Sequence, residues 1–142
     1  MKEAGNSVGI DFTGKCDRAP NTILAHCLML HALKTKGAVL QNELQEVIFR
    51  SYFTDGVYPD VENLTAMGAE VGLDKGEVKA MLESGQYEKQ VLREASEYSN
   101  GGVNGVPFFI INGHPAFSGA QDPRTFLKAF EKLAAEPAQK ET

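Results

Sequence analysis

Apolar positions in the first hundred residues recur mostly at the three-and-four spacing of helix faces, whereas beyond residue 100 they gather into a short continuous run followed by a turn. Ahead of the helical stretch, Val8, Ile10 and Phe12 alternate with Gly9 and Asp11, the period of a short half-buried strand, and Gly14 to Pro20 reads as loop. Past Pro20, Asn21 or Thr22 can cap a helix that aligns Leu24, Cys27, Leu28, His31 and Ala32 on one face and stops at Gly37. Met29, Leu30 and Leu33 widen that face, which predicts a helix buried on most sides.

Leu40, Leu44, Val47, Ile48 and Tyr52 mark a second helix ending near Asp55-Gly56, with Phe49 and Phe53 as a second apolar edge. Asp60 can cap a third helix that carries Val61, Leu64 and Val71 and closes at Gly72. Asp74 with Glu77 three residues on has capping-box spacing for a fourth, through Val78, Met81 and Leu82 to Gly85. A fifth, from about Tyr87 to Ser99, turns Val91, Ala95 and Tyr98 inward before Asn100-Gly101-Gly102 breaks it. Phe108 to Ile111 then reads as a buried strand, Asn112-Gly113 as the favoured two-residue hairpin turn, and Ala116 to Ser118 as the returning strand. Asp122-Pro123 starts a last helix with Phe126, Leu127, Phe130 and Leu133 on one face, and the polar tail from Glu136 is expected to fray.

This order of elements contains a physical defect. Phe108 to Ile111 has the hydrophobicity of a strand in the middle of a sheet, yet the chain offers almost no other strands to flank it, and a lone hairpin is marginal in water. Length does not explain the defect, because 142 residues with 42% hydrophobic content suffice for one soluble domain with a sizeable core. A net charge of -5 and a pI near 5.2, with no cluster of Lys or Arg, exclude a nucleic-acid partner. No stretch approaches the roughly 20 apolar residues of a membrane span, and the polar start from Met1 to Val8 has no signal-peptide core. The expected location is the cytoplasm, although any N-terminal signal would be lost with an upstream segment. Cys16 and Cys27 are too few and too far apart for a disulfide framework or a four-cysteine zinc site, and neither belongs to a C-x-x-C.

The most informative stretch runs Val103-Asn104-Gly105-Val106-Pro107-Phe108-Phe109-Ile110-Ile111-Asn112-Gly113, followed by Phe117-Ser118-Gly119-Ala120-Gln121-Asp122-Pro123 and an amphipathic helix. It resembles the closing half of a thioredoxin fold of the DsbA type, and more narrowly the FrnE-like subfamily of disulfide oxidoreductases. That subfamily is related to 2-hydroxychromene-2-carboxylate isomerase and glutathione transferase kappa, which carry an aromatic-Gly-x-Asp-Arg sequence where this chain has Ser118-Gly119-Ala120-Gln121. Pro20-Asn21-Thr22 with Ala25-His26, Phe49-Arg50-Ser51-Tyr52-Phe53-Thr54-Asp55-Gly56 and Val71-Gly72-Leu73-Asp74 match it in order and spacing. The resemblance covers nearly the whole chain, with two departures. Asn100-Gly101-Gly102 is more flexible than a helix end should be, and the first half of the fold, with its strand, C-x-x-C, first helix and second strand, is absent.

The resemblance implies an α/β, thioredoxin-like fold of the DsbA type with a helical insertion, lacking its N-terminal half and mostly helical as it stands. Residues 1-20 would be short strand and loop, 21-100 the helical insertion, 101-135 the C-terminal half of the thioredoxin domain and 136-142 a flexible tail. An X-Pro bond is cis in only about 5–6% of folded cases, so locally Pro107 would be trans, but the resemblance implies a cis Val106-Pro107. Gly105, Val106 and Pro107 would then form the substrate-binding loop, with the Val106 backbone turned outward to pair with an extended peptide. The attacking thiolate of such enzymes sits in a C-x-x-C at a helix N-terminus, where the dipole lowers its pKa, so no catalytic residue is assigned here.

The expected partners are therefore protein or peptide thiols, with no cofactor, and the open sheet edge predicts a homo-oligomer. The alternatives are a redox-inactive peptide-binding or chaperone-like module, and a glutathione-dependent transferase or isomerase. Among the remaining candidates, Cys27 and His31 have the spacing of two metal ligands but no third partner, and read as core. His26 reads as a hydrogen-bonded structural histidine, His114 as exposed, and Glu43, Glu46, Glu77 and Glu83 as solvated charge.

Overall fold

The structure is a computed structural model and describes residues 1–135; the frayed tail expected from Glu136 lies outside them. The chain divides into two compact units, Met1–Ala95 and the part from Ser96 onward.

The first unit is helical. Its helices are α1 (Lys2–Asn6), α2 (Ile23–Lys36), α3 (Ala38–Phe49), α4 (Val61–Glu70), α5 (Lys75–Ser84) and the first part of α6 (Glu88–Asn100). Among them, α4 and α5 join a side-chain cap to the apolar period. Asp60 and Asp74 each accept a hydrogen bond at 2.9 Å from the backbone N–H three residues ahead, of Asn63 and Glu77, which satisfies one of the orphan donors of α4 and α5. Thr22 makes no such bond for α2; Asn21 Oδ1 instead accepts from Ile23 N–H at 3.1 Å. α2 packs on α3 and also meets α4 and α5, which pack on each other. Leu28, Leu44, Leu64 and Val78 are fully enclosed between them, and Cys27, Ala32, Met67 and Leu82 are among the other buried core residues. α2 is less buried than its sequence predicts, because Leu33 points outward at 40% exposure.

Three further expectations fail here, each for a long-range reason. The alternation at Val8, Ile10 and Phe12 does not become a strand. It meets no neighbouring strand, and its backbone is used otherwise: Ile10 N–H donates to Gly5 O at 2.9 Å and Thr13 N–H to Phe53 O at 3.1 Å. Thr13 Oγ1 donates to Thr54 O at 2.7 Å, Thr54 Oγ1 to Asp11 O at 2.9 Å, and the Phe12 ring meets Phe53 edge-on at 5.3 Å. The second predicted helix does not continue as α-helix to Asp55, since α3 widens into a π-helical turn over Arg50–Asp55. Gly56 ends that turn at φ +80°, where a Cβ would stand 2.5 Å from Lys15 Cβ, so the close approach of the 14–20 loop requires glycine. Finally, α6 outruns the core of its own unit. Val91 is half-buried, but Ala95 and Tyr98 are exposed rather than inward.

The second unit holds an antiparallel hairpin of β1 (Phe108–Ile111) and β2 (His114–Ser118), followed by α7 (Pro123–Ala135). Positive φ at Asn112 (50°) and Gly113 (78°) gives the twisted two-residue turn that Asn-Gly favours. Phe109 faces Phe117 but Ile110 faces Pro115, so Ala116 bulges, and β2 begins two residues earlier than the apolar pattern indicates. Asp122 Oδ1 accepts from Arg124 N–H at 2.9 Å at the start of α7. Phe109, Phe117 and Phe126 meet pairwise at 4.8–5.0 Å in tilted and edge-on contacts. No described residue of this unit is fully buried. β1, expected to be a buried strand, leaves Ile110 48% exposed because two strands and one helix cannot cover both its faces, and Leu127 and Phe130 on α7 are more than half exposed.

Substituting Leu64→Ala should lower the unfolding free energy by about 2–5 kcal/mol and Asp74→Ala by about 0.5–2 kcal/mol, read by helical circular dichroism in a urea titration. A Leu64→Ala cost below that of the cap variant would contradict a core centred on Leu64.

Candidate functional site

Gly105, Val106 and Pro107 form an exposed loop leading into β1, and the Val106-Pro107 peptide is cis. Val106 is 86% exposed, and among the described residues neither its N–H nor its carbonyl has a hydrogen-bond partner. The loop is held from the far end of the hairpin. Gly119, at φ +82°, turns the chain after β2 so that its N–H donates to Pro107 O at 2.7 Å, and Gln121 Nε2 donates to Ser118 O at 3.0 Å. The Ser118-Gly119-Ala120-Gln121 run thus has a mechanical meaning: it pins the base of the loop and leaves the Val106 backbone outward. At Gly105 a Cβ would meet nothing nearer than Ser118 Oγ at 3.9 Å, so the loop surface is open.

A second feature lies wholly within the first unit. Pro20, Ala25 and His26 line one side of an apolar cleft of about 160 Å³, and Phe49, Tyr52 and Phe53 line the other. The end of α3 carries Phe49 of the aromatic wall and the π-helical turn carries Tyr52 and Phe53, and Tyr52 Oη donates to Arg18 O at 3.1 Å, tying the 14–20 loop to it. His26 is not the hydrogen-bonded structural histidine expected from the sequence. It is exposed, and its side chain has no hydrogen-bond partner among the described residues. The segments that meet here lie near the start of α2 and at the end of α3 with its π-helical turn, too far apart along the chain for local periodicity to join them. The available signal was helical spacing, with Ala25, His26 and Met29 adjacent on one face of α2.

The cysteines lie in unlike surroundings. Cys16 is half-buried, its Sγ 3.6 Å from Arg18 O, and Cys27 is buried in the core; both are free thiols. Burial, and secondarily the nearby negative charge of Glu88, push the Cys27 thiol above its ordinary pKa, so its thiolate is disfavoured. His31 is buried one turn on, its ring 6.1 Å from that of Tyr87, with Nδ1 unpartnered among the described residues. Among the described residues no three Cys, His, Asp or Glu side chains converge as a metal site, and no helix is long and apolar enough to cross a membrane. His114 is exposed, as are Glu43, Glu46, Glu77 and Glu83.

Compared with protein families, residues 1–131 match the DSBA-like thioredoxin domain. No curated protein matches the chain. The matched span contains no C-x-x-C, which leaves Cys16 and Cys27 as its thiols.

Iodoacetamide at neutral pH should alkylate Cys16 well before Cys27, with Cys27 modified only as the chain unfolds, as read by peptide mass mapping over time. The sign of the shift also fixes a pH trend. A raised folded pKa contributes stability that is complete below the thiol's unfolded pKa and is lost as pH rises through the folded value. Cys27→Ala should flatten that alkaline loss, and modification of native Cys27 at the rate of Cys16 would contradict the assignment.

Proposed function

The chain belongs to the DSBA-like thioredoxin domain family, and from that premise we propose that it carries the substrate-recognition part of a thiol-disulfide oxidoreductase acting on protein or peptide thiols. The family places the chain in the α/β, thioredoxin-like class, here with a large helical insertion and a two-stranded sheet among the described residues. Within the family we assign it to the FrnE-like subfamily, on the Ser118-Gly119-Ala120-Gln121 run and the matched segments of α2 and the π-helical turn.

The observation that carries the reading is the Gly105-Val106-Pro107 loop. An outward N–H and C=O on one residue, held by Gly119 at the base of the hairpin, form the edge to which an extended peptide adds as a strand. The redox step itself is the attack of a thiolate on a disulfide, releasing one thiolate for each mixed disulfide formed. Neither Cys16 nor Cys27 is built for it, so the reactive cysteine pair would come from polypeptide outside residues 1–142. The role of this chain would then be to hold the substrate backbone in register beside that pair. The exposed edge and faces of the hairpin would, in isolation, pair with a second copy, and a concentration-independent monomer in sedimentation at tens of micromolar would count against that pairing.

In an insulin-reduction assay the chain alone should match a variant lacking both cysteines. An extended cysteine-containing peptide should shift amide resonances around Gly105–Phe108, and N-methylation of the peptide's central amide should weaken it roughly 2- to 12-fold, the effect of one net hydrogen bond of about 0.5–1.5 kcal/mol. Turnover that disappears in Cys16→Ser or Cys27→Ser, or peptide binding indifferent to N-methylation, would overturn the proposal.

A further inference from the structure

The apolar cleft between α2 and the π-helical turn has the makings of a ligand site that thiol exchange does not require. Its walls are preformed: Phe49 and Tyr52 both meet Phe53 edge-on, at 5.8 and 5.0 Å, and the Tyr52 hydroxyl is anchored on Arg18 O. Ile48 and Met29 extend the apolar lining. The volume of about 160 Å³ matches that of an apolar cavity that takes one benzene-sized ring, roughly 150 Å³. Polar groups in the lining are few. His26 on α2 and Gln45 on α3 line the same cleft, and among the described residues neither side chain has a hydrogen-bond partner. An apolar cleft with a small number of polar groups in its lining is the usual form of a small-molecule site.

We infer that this cleft binds a single monocyclic aromatic ring bearing one hydrogen-bonding substituent, as in a phenol. The ring stacks edge-on within the Phe49, Tyr52 and Phe53 wall, and its hydroxyl reaches His26 and Gln45. The volume suits one ring rather than two. All the contacts lie in the Met1–Ala95 unit, and binding is independent of the peptide loop near Pro107.

The test is a titration of the full chain with p-cresol and with toluene, followed by amide NMR. Both probes should shift amides at 20–29 and 45–59 and leave 108–133 unmoved. The p-cresol-to-toluene affinity ratio should fall roughly 2- to 12-fold in the doubly substituted His26→Ala, Gln45→Ala chain, the size of one lost hydrogen bond. Ala25→Leu, which fills the cleft, should abolish binding of both probes while keeping the native amide pattern. If Ala25→Leu loses its fold, the double variant decides, since His26 is exposed and Gln45 outside the core. Shifts spread over the exposed aromatics of the second unit, an unchanged ratio in the double variant, or undiminished binding by a folded Ala25→Leu chain would each overturn the assignment.

Discussion

Backbone N–H and C=O groups along the outer edges of a hairpin must be met by another strand or by water, and the faces of its strands must be covered or left wet. Phe108 to Ile111 places two phenylalanines and two isoleucines under that constraint, and the described residues answer it with one partner strand and one helix. Most features of the second unit follow from this shortage. Its aromatic cluster is real but shallow, Ile110 and Phe130 remain about half exposed, and among the described residues the Val106 backbone is left without a partner. On the proposed reading, the same incompleteness would leave the loop open to a substrate and the hairpin edge open to some other strand.

The helical unit is under no such constraint. α2 to α5 enclose Leu28, Leu44, Leu64 and Val78 completely, and their contacts are close in sequence, so the unit carries its own core. Its functional interest lies at the edge of that core, where a wider turn replaces the last turn of α3 and puts Phe49, Tyr52 and Phe53 opposite Ala25 and His26. π-helical turns recur at functional sites because they re-aim side chains that a regular helix would place elsewhere. The exposed Gly105 to Pro107 loop on one unit and the aromatic cleft on the other thus have different settings, an unfilled sheet edge in one case and an irregular helix end in the other.

What the sequence disclosed were interactions closed within a few residues. Asp60 and Asp74 reach donors three positions on, Gly85 and the Asn112-Gly113 pair set their own dihedrals, and the periodic positions Leu28, Leu44, Leu64, Val78 and Leu82 are buried. What stayed hidden depended on partners some forty positions away. The alternation at Val8 to Phe12 looks like a strand until Thr13 bonds to Phe53 and Thr54, and no local pattern announces the π-helical turn. The candidate loop was legible only through the resemblance of the Val103 to Gly113 stretch to a thioredoxin fold, since the local sequence alone favours a trans Pro107. The cleft was not, although its segments, Pro20-Asn21-Thr22 with Ala25-His26 and Phe49 to Gly56, stood out as matched motifs with no visible reason to meet.

The account rests on the hairpin lacking part of its sheet while the helical unit is complete, and residue-resolved hydrogen exchange across a dilution series tests that most directly. Amides of α2, α3 and α4 should be protected to nearly the global stability at every concentration, whereas those of β1 and β2 should be weakly protected when dilute and gain protection as copies pair. Hairpin amides protected as strongly as the helical core in a dilute monomer would show that the sheet is already complete, and would contradict the account.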